Sequence, residues 1–275
     1  MHRDGPSTLD RGLGVTAGLD PGRARELAAQ AAALGYRALW ANDEPTAPGL
    51  ETLARFADGD PTLELGVGVL PLDRHPPERI AADVERLGLD PARLWVGVGS
   101  GPLRPPLAVV EEAVGRLREL LPPGTRIVVA AMRPRLCRLG GALADGVLLN
   151  WMPPTRAAQA RELVREGAAE VGRPAPLVAS YVRTAVGPGH LARLQEEEGR
   201  YRLINEGHRR HFAGLGLALG RVGVGGDDGA AVQAGLAPYH DALDLPIVRV
   251  LADDDEAQVR AVAAAAAPTA AVAPR

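Results

Sequence analysis

"LELGVGVLPLDRHPP", residues 63–77, begins as a buried strand and ends as a rigid polar loop. Leu63 to Leu70 is apolar except at Glu64, and it carries two glycines, Gly66 and Gly68. Pro71, the pair Asp73–Arg74, His75 and two more prolines follow at once. The pattern returns at 93–102 as "RLWVGVGSGP". Near-continuous apolar runs of this length mark parallel strands covered on both faces. Glycine has no Cβ, so glycines at a strand end admit close approach, either of a neighbouring strand or of a ligand.

Outward from this stretch, short apolar runs alternate with longer amphipathic ones. Strands are expected at 12–17, 37–41, 63–70, 94–99, 126–131, 146–150, 177–186 and 246–252. Helices are expected at 20–35, 76–88, 105–124, 152–172 and 255–268. The first has Asp20 as N-cap, Pro21 at the first helical position and Gly35 as a stop. Eight strand–helix units predict a parallel sheet closed into a (β/α)8 barrel, which ordinarily takes about 250 residues. The 275 residues are read as one barrel domain, 1–275. An open doubly wound sheet is the alternative, but the first unit has no glycine-rich turn of the dinucleotide-binding kind. The connection 187–245 is too long for one unit. It reads as an insertion with a helix over 190–216, a flexible break over 223–229 and a further helix. At the C-terminal face of a barrel it is either a lid over the active site or an extra packing layer. Residues 268–275 read as a mobile tail.

Composition narrows the function. Apolar residues make up 46% of the chain and aromatic residues 3%, so Val, Leu and Ala must fill the core. All 31 basic residues are arginine, a bias that suggests a GC-rich bacterial genome. The net charge of -3 argues against a nucleic-acid surface. Cys137 is the one cysteine, so neither an internal disulfide nor a cysteine metal cage can form. No apolar run reaches the roughly 20 residues of a membrane span, and residues 1–10 lack the apolar core of a signal peptide. A cytoplasmic protein without membrane or nucleic-acid partners is expected. Without lysine there is no Schiff-base aldolase. The six histidines fall mostly in helical or terminal segments, against a metal-dependent one.

The motifs "ALGYRALWANDE", "LGVGVLPLDRHP", "LDPARLWVGVGSG" and "VVAAMRPRLCRLGGALADGVLLNW" stand in this order on the βα pattern. Together they resemble the luciferase-like monooxygenase superfamily, well over residues 12–186 and by order of elements beyond. The resemblance implies a flavin or deazaflavin at the C-terminal ends of the strands. The GC-rich composition tilts the cofactor to coenzyme F420, with FMN as the alternative, and hydride transfer to or from a small organic substrate is expected. Homodimers are common in the family. In its deazaflavin branch the third strand ends in a bulge with a non-prolyl cis peptide behind the ring, and the matching positions are Gly68 and Val69. Read from the residues alone, Gly66 and Gly68 rather serve tight strand packing, and the resemblance reverses that preference.

Arg74, His75 and Pro76 match the family's Arg-His-Pro, although a histidine there is more often a helix-capping or loop hydrogen-bonder than a catalyst. Gly99, Ser100 and Gly101 offer N–H groups and a hydroxyl to a cofactor side chain or phosphate. Ala131, Met132 and Asn150 end the next two strands, and Asn150 suits a ring or ribityl oxygen. Trp151 reads as a wall for a planar ligand or as core packing. Relatives that oxidise alcohols end the second strand in Asp-His and place a Glu after the Gly-x-Gly of the fourth; here Glu44 and Ser100 stand there. Asp43 or Glu44 is then the candidate proton donor, with a plain salt bridge to Arg37 as the alternative. Two rival readings are an FMN-dependent monooxygenase and a non-catalytic flavin-binding barrel.

Overall fold

The computed structural model describes residues 10–251 and 255–268. Eight parallel strands close on themselves: β1 (Gly12–Val15), β2 (Ala38–Ala41), β3 (Glu64–Pro71), β4 (Leu94–Gly99), β5 (Arg126–Ala130), β6 (Gly146–Asn150), β7 (Leu177–Val186) and β9 (Leu245–Val250). Each pairs with the next, and β9 closes the ring between β7 and β1. This is the (β/α)8 barrel that the alternation predicts. All eight expected strands are present, with ends shifted by a residue or two.

Helices cover the outside: α1 (Pro21–Ala33), α2 (Gly49–Ala57), α3 (Pro77–Arg86), α4 (Pro106–Leu120), α5 (Pro134–Leu143), α6 (Pro154–Glu170), α9 (Gly229–Ala242) and α10 (Glu256–Ala265). The sequence reading names no helix at α2 or α5. The expected helix 190–216 is two, α7 (His190–Ile204) and α8 (Glu206–Leu215). Asn205 separates them in extended backbone and caps α8 by accepting from the His208 N–H. The expected flexible break is also corrected. Val224–Gly226 forms a short strand, β8, parallel to the overhanging end of β7. The expected tail beyond residue 268 lies outside the described residues, as does Ala252 at the end of the last expected strand.

Two cores follow from the strand period of two. Outward-facing residues such as Leu39, Val67 and Val129 pack under the helices. Inward-facing residues fill the barrel with Trp40, Trp95, Leu148, Tyr181 and Ile247. In so aromatic-poor a chain, these rings need space, and glycines supply it. A Cβ on Gly66 would stand 2.2 Å from Trp40 Cδ2, and one on Gly14 would stand 3.1 Å from Tyr181 Cε1. At the N-terminal rim, Glu64 accepts from Trp95 Nε1 and pairs with Arg37 and Arg126.

Candidate active site

The residue count along each strand sets what reaches the C-terminal mouth. On β7, β9, β2 and β6 the inward positions run Ala179–Tyr181–Arg183, Leu245–Ile247–Arg249, Ala38–Trp40–Asn42 and Leu148–Asn150. The lower layers are apolar, and the top layer is polar. Arg183 and Arg249 stand opposite each other in the β7–β9 register and are 3% and 5% exposed. Arg249 donates from Nε to Asn42 Oδ1 at 3.1 Å, and Arg183 donates from Nη1 to Asn150 Oδ1. Burial lowers the Arg183 pKa and the Arg249 charge lowers it further, while Tyr201 and Glu197 oppose them. A guanidinium remains protonated at neutral pH regardless.

Strand β3 reaches this layer through a bulge. Its register with β4 shifts between Val67 and Leu70, and the Gly68–Val69 peptide is cis, as the resemblance implies. The space inside Gly68 is filled by the chain itself. A Cβ there would lie 2.6 Å from both Leu148 Cδ2 and Tyr181 Oη, and the Tyr181 hydroxyl donates to the Gly68 carbonyl at 3.0 Å. Gly68 is therefore a packing position within the barrel, not an open rim position.

Val69 is half-buried at the rim and begins an arc. A Cβ on Gly99 would sit in ordinary contact with Val69 Cγ2 at 3.4 Å and Ala130 Cβ at 3.6 Å. Val69, Gly99 and Ala130 thus form a shelf of small groups across β3–β5. Ser100, Met132 and Asn150 are half-buried beside it, and Gly101 is exposed. Ala131 is buried and belongs to the outer core. Trp151 is also buried, with a left-handed φ of 54°. It packs on Phe212 of α8 and Tyr201 of α7, and the His211 Nε2–H donates to its carbonyl at 2.7 Å. Its core role prevails: it anchors the insertion to the barrel.

The two candidate carboxylates part company. The Asp43 side chain is 1% exposed, with Oδ1 accepting from the Gly49 N–H at 3.0 Å. Its Oδ2 meets Arg74 Nη2 at 2.8 Å and His75 Nε2 at 2.9 Å. Asp43 is thus a clamp between the β2 and β3 loops, and His75 is the loop hydrogen-bonder. Glu44 is half-buried, with its backbone paired to Ala47 in a tight turn. Its charge reaches Arg200 on α7: burial lowers the Arg200 pKa, but the hydrogen bond to Glu197 and, more weakly, Glu44 hold it above the ordinary value. Arg37 pairs with Asp10 and Glu64 at the opposite rim, so the alternative of a salt bridge to Asp43 or Glu44 is excluded.

The sequence reading missed Arg183, Arg249, Tyr181 and Tyr201. A signal for two of them was present: an arginine inside each of two apolar strands, at matching depth. Among the described residues no cluster of His, Cys, Asp and Glu has metal-site geometry, and no helix is long and apolar enough to cross a membrane.

A family model described as luciferase-like monooxygenase matches residues 111–211. No curated protein matches the sequence. Among solved structures, an F420-dependent secondary alcohol dehydrogenase in complex with an F420–acetone adduct is 15% identical with a TM-score of 0.70, over 88% of this chain and 93% of that one. The coenzyme F420-dependent tetrahydromethanopterin reductase from Methanopyrus kandleri is 16% identical with a TM-score of 0.70, over 94% and 97%. An FMN-bound type II Baeyer–Villiger monooxygenase from Pseudomonas putida is 13% identical with a TM-score of 0.63, over 93% and 96%. The resemblance to luciferase-like monooxygenases seen in the motifs is borne out by the family match and by the fold.

Proposed function

We propose that this barrel is a luciferase-like oxidoreductase that binds coenzyme F420 on the β3–β5 shelf and exchanges a hydride with a small organic substrate. The observation that carries the reading is the shelf itself. Val69, Gly99 and Ala130 offer a continuous surface of small groups at the mouth, where a planar ring needs backbone and methyl groups instead of long side chains. The residues fit such a ring at the rim only, because Tyr181 and Leu148 fill the interior beside Gly68. When bound, the cofactor supplies the hydride chemistry.

The chain's own residues supply the surroundings. Asn150 and the N–H groups of Ser100 and Gly101 stand along the shelf as hydrogen-bonding groups, while the Gly99 N–H is spent on the ladder to β3. The clamp of Asp43, Arg74 and His75 fixes the β2 and β3 loops against each other. Helices α7 and α8, stapled down through Trp151 and Phe212, cover one side of the mouth and exclude water. With Asp43 engaged three ways, Glu44 is the one of the two candidate carboxylates left to move a proton at the mouth. Two of the fold relatives bear F420 in their names and one binds FMN, so FMN is the competing cofactor. The clamping of Asp43 favours a second reading, a barrel that binds the cofactor without turnover.

The test is titration of the protein with F420 and with FMN, read by fluorescence and melting. A ligand at 100 times its Kd stabilises the fold by about 2.7 kcal/mol. F420 is expected to raise the melting temperature and FMN to do so less. A shift with FMN alone reverses the cofactor assignment, and a shift with neither ends the reading.

A further inference from the structure

We propose that Arg183 is the anchor of an oxyanion subsite in the barrel mouth, a fork for a carboxylate or phosphate carried by the substrate. Calling the anion the substrate's rests on the cofactor reading above; the fork itself does not.

Arg183 is 3% exposed. Nη1 is committed to Asn150 Oδ1, whereas Nε is buried with no acceptor and Nη2 donates to no described group. Nε and Nη2 lie along one edge of the guanidinium. With that edge arginine grips a carboxylate or phosphate through two parallel hydrogen bonds. The edge is held in place, since the Trp151 and Tyr201 ring centroids lie 4.4 and 4.9 Å from the Arg183 Cζ. The Trp151 Nε1–H, in the same cluster, is a second buried donor without an acceptor. The site therefore holds donors in excess.

Among the described residues no carboxylate lies within 4 Å of Arg183. Glu197 acts on it from a distance and is itself bound to Arg200. Arg249 stands opposite in register, and His208 on α8 lies within the field of Arg183. Asn150 gives Arg183 an amide oxygen, which orients it without cancelling its charge. A buried charge lacking a counter-charge is unfavourable, and an incoming oxyanion relieves it. Asn150, which holds Nη1, also ends the rim arc assigned to the ring. An anion on the free edge thus lies beside the ring and belongs to the molecule that reacts with it.

Inorganic phosphate and malonate serve as probes on the full chain, by calorimetry and melting, for the wild type, Arg183→Lys and Asn150→Asp. Lysine keeps the charge and loses the fork. Aspartate supplies an internal carboxylate and keeps the fold. Both variants are expected to melt cooperatively and to bind each probe at least about tenfold more weakly. Undiminished binding in either variant, or none in the wild type, overturns the subsite. The cofactor arm separates the two claims. Phosphate that binds alongside saturating F420 supports a substrate site, and phosphate that competes with F420 overturns that assignment. A protein that binds phosphate through Arg183 but neither F420 nor FMN keeps the fork and loses the proposed function.

Discussion

A methyl group on Gly66 would fall within 2.5 Å of three atoms of the Trp40 ring, a rigid group fully buried in the barrel. Gly66→Ala is therefore expected to destabilise the fold by about 2–3 kcal/mol, as overpacking does, and a urea melt measures it. Gly68→Ala meets the freer ends of Leu148 and Tyr181 and is expected to lose less. An equal loss at both positions contradicts this account of the barrel glycines. Asp43→Asn tests the clamp. It removes a buried charge from between Arg74 and His75 and is expected to destabilise by about 3 kcal/mol. A stable Asp43→Asn protein that loses only turnover returns Asp43 to catalysis. At this scale "GVGVLP" was half legible. Its glycines mark close approach, but the partners of Gly66 and Gly68 are Trp40 and Tyr181, brought from strands 26 and 113 residues away in the chain.

At the scale of elements, the helices missed by the sequence reading are instructive. α5 carries Gly140 and Gly141 in "PRLCRLGGAL", a poor helix by propensity. It packs on α6 so closely that a Cβ on Gly141 would lie 2.1 Å from the Val164 carbonyl, and one on Gly167 would lie 2.0 Å from that of Arg138. Propensity predicts that Gly167→Ala stabilises α6 by about 1 kcal/mol. Packing predicts the opposite, because backbone cannot step aside as a flexible side chain can, and a loss of about 2 kcal/mol or more is expected in thermal or urea unfolding. The break at Asn205 and the strand β8 show the same limit. An amphipathic run of 27 residues has no internal signal strong enough to stop it, and the stop is set by where α8 can seat Phe212 on Trp151.

For the molecule as a whole, the bottom of the barrel joins the first and last described segments of the chain. Arg11, beside β1, donates to the carbonyls of Ala266 and Ala267 after α10, to Gln233, and from Nε to His240 Nε2 at 2.8 Å. The accepting His240 must be neutral. Burial, then the Arg11 charge, lowers its pKa from 6.5 to about 4. A depressed pKa makes the unfolded chain the better proton binder. Stability is therefore present above pH 6.5 and falls as pH drops toward 4. Denaturation across that window is expected to show the loss, and His240→Gln to flatten it; an unchanged pH profile in the variant removes His240 as its source. At alkaline pH the sign reverses. Burial raises the pKa of Tyr36, Tyr181 and Tyr239, so the folded state withholds protons the unfolded chain would release. Stability is expected to decline above about pH 10, the ordinary phenol value. The ultraviolet signal of those three phenolates should appear only with unfolding.

The βα alternation, the eight strand cores and the resemblance carried by four motifs were written in the chain itself. Strand periodicity and helix-start prolines are local signals, and parallel pairing follows from them with little freedom. The tertiary structure decided which side of each strand faces the barrel axis, and therefore that Arg183, Arg249, Asn42 and Asn150 share one polar layer. It also decided that Asp43 is spent on Arg74 and His75, and that Trp151 is stapled under Phe212. Those outcomes depend on contacts between residues far apart in sequence, whose distances only a closed ring of strands can set.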